Sequence, residues 1–138
     1  MTGAIHVSVI GAGLMGHGIA QVFASAGHSV LLTDANESVL SQALNRIENN
    51  LYQPHQDPGP VLGRIRLEPS LPASVTYADL VVEAVAEKLE IKSALFREIV
   101  EAAPKTAILA SNTSVIPITD IGISLGEEAR TRLVGTHW

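Results

Sequence analysis

The hexapeptide GAGLMG at Gly11–Gly16 directly follows the apolar run Ile5-His6-Val7-Ser8-Val9-Ile10, and Asp34 closes a second apolar run 18 positions after the last glycine. Few folds accept that order of features. Gly11 permits a tight turn out of a strand, Gly13 lets the backbone approach a pyrophosphate, and Gly16 lets the next helix pack close to the strand. The unpaired N–H groups and the positive dipole end of that helix then face the phosphates. Ala12, Leu14 and Met15 complete the cofactor-binding loop. Asp34 is spaced to accept hydrogen bonds from the adenosine ribose hydroxyls. A carboxylate there repels a 2′-phosphate, and Ala35-Asn36-Glu37 supplies no Arg, so the pattern points to NAD rather than NADP. A glycine-rich strand–helix turn serving another ligand is the alternative, and it leaves Asp34 without a role.

The rest of the chain repeats the strand–helix alternation. Residues 5–10 and Ser29–Thr33 read as buried strands, because parallel strands covered on both faces are continuous apolar runs. Residues 14–26 read as a helix through Leu14, Ile19, Val22, Phe23 and Ala26, with Gly27 at a left-handed C-cap. A second helix is expected over 37–51, with Asn36 as N-cap and Val39, Leu40, Ala43, Leu44, Ile47 and Leu51 on one stripe. Residues 52–60 hold three of the seven prolines and read as a loop. Further strands are expected at Ile65–Glu68 (a short edge), Leu80–Ala84, Ala107–Ala110 and Leu133–His137. Helices are expected at 88–102, ended by Pro104, and at Ile118–Leu125. This alternation implies one α/β domain over 1–138: a doubly wound parallel (Rossmann) sheet of order 3-2-1-4-5-6.

Composition narrows the partners. The 138 residues are 46% hydrophobic and 17% charged, with net charge -5 and no Lys/Arg cluster, which argues against nucleic acid and anionic lipid. Without cysteine there is neither a disulfide framework nor a thiolate metal site, and no metal is expected. No apolar run reaches the roughly 18 residues of a membrane span. Met1-Thr2-Gly3-Ala4 does not read as a secretory signal. A cytoplasmic protein acting on a small molecule is the expectation.

Four blocks carry a resemblance: GAGLMGHGIA at 11–20, DLVVEAVAEKLEIK at 79–92, ASNTS at 110–114 and VGTH at 134–137. Over nearly its whole length the chain resembles the N-terminal NAD-binding domain of the L-3-hydroxyacyl-CoA dehydrogenase family. That family oxidises the 3-hydroxyl of an acyl thioester to a ketone, as in fatty-acid β-oxidation, with NAD as hydride acceptor. The resemblance implies that Glu87 and Lys92 line the cofactor site; by spacing alone they are a solvated charge pair at a helix start. It implies that Ser114 touches cofactor and substrate, whereas the residues alone read as a side-chain-bonded turn and helix cap. Asn112 and Thr113 are structural supports in either reading. His137 corresponds to the catalytic histidine, and an imidazole near neutrality suits removal of the hydroxyl proton. His6, His17, His28 and His55 are read as structural.

The chain departs from the family in several places. The family continues past the histidine with an Asn-Pro turn, a glutamate that orients the imidazole, and a helical domain that dimerises. The given sequence reads as the isolated NAD-binding half, binding NAD but turning over little substrate, with the full-length protein a homodimer. Well-known members hold coenzyme A with a serine and a lysine at about the places of Asn50 and Asp57, and from Glu37 to Pro60 the only Arg or Lys is Arg46. Trp138 stands where acyl-CoA members carry phenylalanine, and two extra residues separate Ser114 from His137. Two other readings therefore stand beside the first: a dehydrogenase of a small hydroxy acid such as gulonate or carnitine, and a non-catalytic NAD-binding module.

Overall fold

Strand pairing in the computed structural model, which describes residues 3–138, follows the doubly wound pattern throughout. Met1 and Thr2, part of the N-terminal stretch read above, lie outside the described residues. The strands are β1 (His6–Ile10), β2 (Ser29–Thr33), β3 (Ile65–Leu67), β4 (Leu80–Glu83), β5 (Ile108–Ser111) and β6 (Leu133–Gly135). They form one six-stranded sheet of order β3-β2-β1-β4-β5-β6, as expected from the sequence. Every pairing is parallel. The chain reverses its direction of travel across the sheet between β1 and β4, the switch point at which such sheets bind ligands.

The helices are α1 (Leu14–Ser25), α2 (Glu37–Ser41), α3 (Ala43–Leu51), α4 (Gly59–Leu62), α5 (Leu71–Val75), α6 (Leu89–Ala102), α7 (Ile118–Gly122) and α8 (Glu127–Arg130). On one face of the sheet, Ile19, Ala20 and Ala24 of α1 and Ala43 and Ile47 of α3 pack against Val7, Val9, Val30 and Leu32. On the other, Phe96 and Ile99 of α6 and Ile121 of α7 pack against Val81 and Leu109. Both faces of the central strands are thus removed from water, as their unbroken apolar runs require.

Several elements differ from the sequence reading. The expected helix over 37–51 is two helices that meet at Gln42, which keeps helical backbone but sits in a turn. Asn36 caps the first of them as expected, its side chain accepting from the Ser38 and Val39 amides. Part of the expected 52–60 loop begins α4, because Pro60 falls in its first turn, where no intrahelical N–H is needed. The expected helix Ile118–Leu125 stops at Gly122, and α5 and α8 are additional short helices. Within α1 the buried residues are Gly16, His17, Ile19, Ala20 and Ala24, while Leu14 is 83% and Val22 50% exposed. Small side chains at three of these positions let the helix lie close on the sheet, with Ile19 in the core and Leu14 and Val22 turned to solvent. Gly27 ends α1 with φ +96°, the expected left-handed cap.

Candidate functional site

The turn out of β1 depends on two backbone constraints. Gly11 has φ +100°, and a Cβ there would lie 2.6 Å from the Ala84 carbonyl oxygen. A Cβ on Gly16 would lie 1.6 Å from the Gly11 carbonyl oxygen, so the first turn of α1 can approach β1 only as glycine. At Gly13 a Cβ would meet nothing within 4 Å, which leaves the backbone open to a ligand from that side. Asp34, at the end of β2, accepts the Ala12 amide at 2.8 Å and the Asn36 amide at 2.7 Å. The carboxylate therefore braces the glycine turn. Each oxygen uses one acceptor position on the backbone and keeps another.

His17, read from sequence as merely structural, is attached to this loop. Its Nδ1 lies 2.6 Å from the Gly13 carbonyl oxygen and its Nε2 lies 3.1 Å from the Asn50 amide nitrogen. Only the carbonyl is an acceptor, so Nδ1–H donates to Gly13 while Nε2 accepts from Asn50. Asn50 also donates to Gln21, tying α3 to α1. A cleft of about 630 Å³ opens beside the turn, lined by Gly11, Gly13, Asp34, Val39, Ala86 and Ile91 among others.

A second group lies at the carboxyl ends of β4 and β5. Glu83 and Ser111, the last residues of those strands, are fully buried, and Lys92 on α6 is 1% exposed. The Lys92 ammonium donates to Glu83 Oε2 at 2.6 Å, and the Ser111 hydroxyl donates to Glu83 Oε1 at 2.6 Å. The Val85 amide adds a third bond to Glu83 Oε2 at 2.8 Å. Lys92 also stands 3.5 Å from Glu87 Oε1. Glu87 in turn accepts the Thr113 hydroxyl at 2.7 Å, the Ser114 amide at 2.9 Å and the Ser114 hydroxyl at 3.1 Å. Burial opposes ionisation of Glu87. The Ser114 amide, the Thr113 hydroxyl, the Lys92 charge and the Ser114 hydroxyl outweigh it and hold the carboxyl at about 2, well below its ordinary 4.5.

Glu87, Lys92 and Ser114 are thus brought together, and the solvated charge pair is not what the chain forms, because Lys92 is buried. Glu83 and Ser111 were missed in the sequence. The available signal was a glutamate inside the buried run LVVEA, where a charge demands a partner.

His137 lies just past β6, which ends at Gly135 rather than at the histidine. Its neighbours are pinned to the end of β5 and the residue after it: the Thr136 amide donates to the Ser111 carbonyl at 2.8 Å, and the Trp138 amide donates to Asn112 Oδ1 at 3.2 Å. His137 is exposed. Among the described residues no carboxylate forms an ion pair with it. The Trp138 ring meets Phe23 of α1 edge-on, with centroids 5.4 Å apart.

The sequence of residues 6–138 matches the family described as 3-hydroxyacyl-CoA dehydrogenase, NAD binding domain. The chain belongs to that family. It is 40% identical over 137 residues to a probable 3-hydroxyacyl-CoA dehydrogenase of Caenorhabditis elegans, covering 91% of this chain and 44% of that protein. It is 39% identical over 145 residues to the mitochondrial hydroxyacyl-coenzyme A dehydrogenase of Sus scrofa, covering 96% of this chain and 46% of that one. Among solved structures, the 3-hydroxybutyryl-CoA dehydrogenase of Escherichia coli superposes with TM-score 0.85 at 36% identity, over 99% of this chain and 30% of that one. The chain therefore spans less than half the length of these relatives.

As an NAD-binding domain of this family, the chain takes NAD as its cofactor. Its residues fit that group. Gly11, Gly13 (the N-cap of α1, open on its Cβ side) and Asp34 all border the same cleft. No helix among the described residues is long and apolar enough to cross a membrane, and no group of three or more metal-ligating side chains occurs among them.

Proposed function

We propose that this domain supplies the cofactor and proton-transfer half of a dehydrogenase acting on the 3-hydroxyl of 3-hydroxyacyl-CoA. Gly11, Ala12, Gly13, Leu14, Met15 and Gly16 hold the pyrophosphate, and Asp34 holds the ribose. Glu87, Lys92 and Ser114 border the reactive end. NAD, when bound, supplies the hydride acceptor. His137 takes the proton of the substrate hydroxyl, and in the reverse direction gives it to the ketone. The Ser114 hydroxyl, held by Glu87 just past the end of β5, lines the place of the substrate oxygen. The observation that carries this reading is the anchoring of 136–138 at the end of β5. It sets His137 at the carboxyl edge, beside the strand that leads to Ser114.

A histidine base works best when a carboxylate fixes its tautomer and direction. His137 has none among the described residues. We therefore expect the 138-residue chain to bind NAD and to turn over little substrate. Activity comparable to that of a complete enzyme would overturn this.

A second reading, dehydrogenation of a small hydroxy acid, draws on Asn50 and Asp57. Asn50 is committed to His17 and Gln21, and Asp57 accepts the Gly59 amide, so neither place offers a cation for coenzyme A phosphates. Assaying the full-length protein with acetoacetyl-CoA, gulonate and carnitine separates the two. Reduction of acetoacetyl-CoA alone supports the first reading, and turnover of a hydroxy acid alone supports the second. A homodimeric full-length protein and a cytoplasmic location also belong to this proposal. Relatives named mitochondrial make fractionation the test of the latter.

A further inference from the structure

We propose that Glu83 is a positioning residue of the cofactor site, setting Ser114 through Lys92 and Glu87. This rests on the reading of Ser114 as a site residue. The starting point is energetic. A buried ion pair is weak evidence for stability, since desolvating both charges offsets most of their attraction. Glu83 and Lys92 are both essentially inaccessible to water. Apolar side chains of similar volume would fill the same space between β4 and α6, so the pair calls for a role other than packing.

The hydrogen bonds supply one. Glu83 is the meeting point of the two strand ends that carry the site. Its carboxylate binds Lys92 from α6, Ser111 from β5 and the Val85 amide from its own loop, and its carbonyl oxygen accepts the Asn112 amide at 2.8 Å. The Lys92 ammonium reaches from Glu83 toward Glu87 Oε1. That same oxygen accepts the Thr113 hydroxyl, while the other accepts both the amide and the hydroxyl of Ser114. With Glu83 charged, Lys92 is drawn inward and Glu87 keeps its oxygens for Thr113 and Ser114. Without that charge, Lys92 has only Glu87 to neutralise it. It then competes with Thr113 for Oε1 and turns the carboxylate away from Ser114. A chain of three charged groups thus carries the state of a buried strand residue to an exposed hydroxyl at the ligand edge.

The test is a double-mutant cycle on the 138-residue chain, using Glu83→Gln, Lys92→Met and the double variant. Two quantities are read: the Ser114 amide chemical shift without ligand, and NAD affinity by calorimetry. Glu83→Gln is expected to move the Ser114 amide and to weaken NAD binding about tenfold, the scale of one lost charge-assisted bond. In the Lys92→Met background the same change is expected to alter neither quantity, because the link it acts through is gone. If Glu83→Gln alone does not fold, Lys92→Met and the double variant still decide, and they must agree. A purely structural Glu83 would change thermal stability and leave the Ser114 amide in place. That result, or an equal displacement of Ser114 in both backgrounds, overturns the proposal. Failure of the unaltered chain to bind NAD would instead count against the site reading, and the ligand-free Ser114 shift would still judge Glu83.

Discussion

Both ends of the parallel sheet hold a cleft of similar size, about 630 Å³ at the carboxyl edge and about 700 Å³ at the amino edge. What borders each is different. At the carboxyl edge the chain leaves β1 through the glycine turn into the start of α1, and Asp34 and Glu87 each accept backbone amides there. At the amino edge two charged side chains hold the chain. Asp79 accepts the His6 amide at 2.8 Å, and Arg64 donates to the Ala24 carbonyl at 3.1 Å. Volume therefore does not distinguish a site from a crevice. Direction does, because strands that all run one way send their following helices off from one edge, and the free N–H groups collect there.

If that asymmetry is real, substitutions at the carboxyl edge act on binding and chemistry, and matched ones at the amino edge do not. In the full-length protein, His137→Ala is expected to lower turnover by about 10²–10⁴, the range for loss of a general base, while leaving NAD affinity within about twofold. Steady-state kinetics together with calorimetry check both halves of that statement. Gly16→Ala forces backbone apart where a Cβ would sit 1.6 Å from an oxygen. A loss of about 3 kcal/mol in thermal or urea denaturation is expected, with NAD binding abolished. Its counterpart at the amino edge, Tyr77→Ala, removes a side chain that is 79% exposed and is expected to change stability by less than about 0.5 kcal/mol.

Asp34→Ala removes the proposed ribose acceptor together with the brace on Ala12. NAD affinity is expected to fall about 10- to 100-fold, with Arg66→Ala at the opposite edge unchanged in the same titration. Glu87 gives the smallest effect among the carboxyl-edge substitutions. The folded chain holds it at about 2 against 4.5, so its contribution to stability is complete above pH 4.5 and disappears as the pH falls toward 2. Its side chain is 31% exposed, and solvent screening limits the contribution to no more than about 2 kcal/mol. Acid denaturation should show the stability gap between native chain and Glu87→Gln closing across that interval. A gap that does not change with pH would mean that the carboxyl is not held in its charged form.

The sequence revealed those parts of the molecule whose causes are local. Strand, glycine turn, helix and acidic residue lie within about 30 positions of one another in a unit of this type, and each has a residue-level reason, so the sheet order and the glycine turn were legible. Asn36 as a cap and Gly27 as a left-handed stop were legible for the same reason. The buried network was not. Lys92 follows Ile91 on α6 and looks like any solvated helix lysine. Its burial depends on Glu83, nine positions back on a strand, and on Ser111, which lies on a different strand again. Helix α5, whose sequence LPASV is short and contains proline, has no periodicity to detect. The break at Gln42 is invisible because the apolar stripe continues across it. Asp34 was read only for a ribose, and its bond to the Ala12 amide was not foreseen, since that bond arises only once the turn has folded back onto β2.

Titration of NAD into the isotope-labelled 138-residue chain, followed amide by amide, separates the two edges in a single experiment. Saturable shifts at Gly11–Gly16, Asp34, Glu87 and Ser114, with Arg64, Arg66 and Tyr77 unmoved, are the expected result. Shifts confined to Arg64, Arg66 and Tyr77, or no saturable shift at the glycine turn, would contradict the placement of the nucleotide on the start of α1.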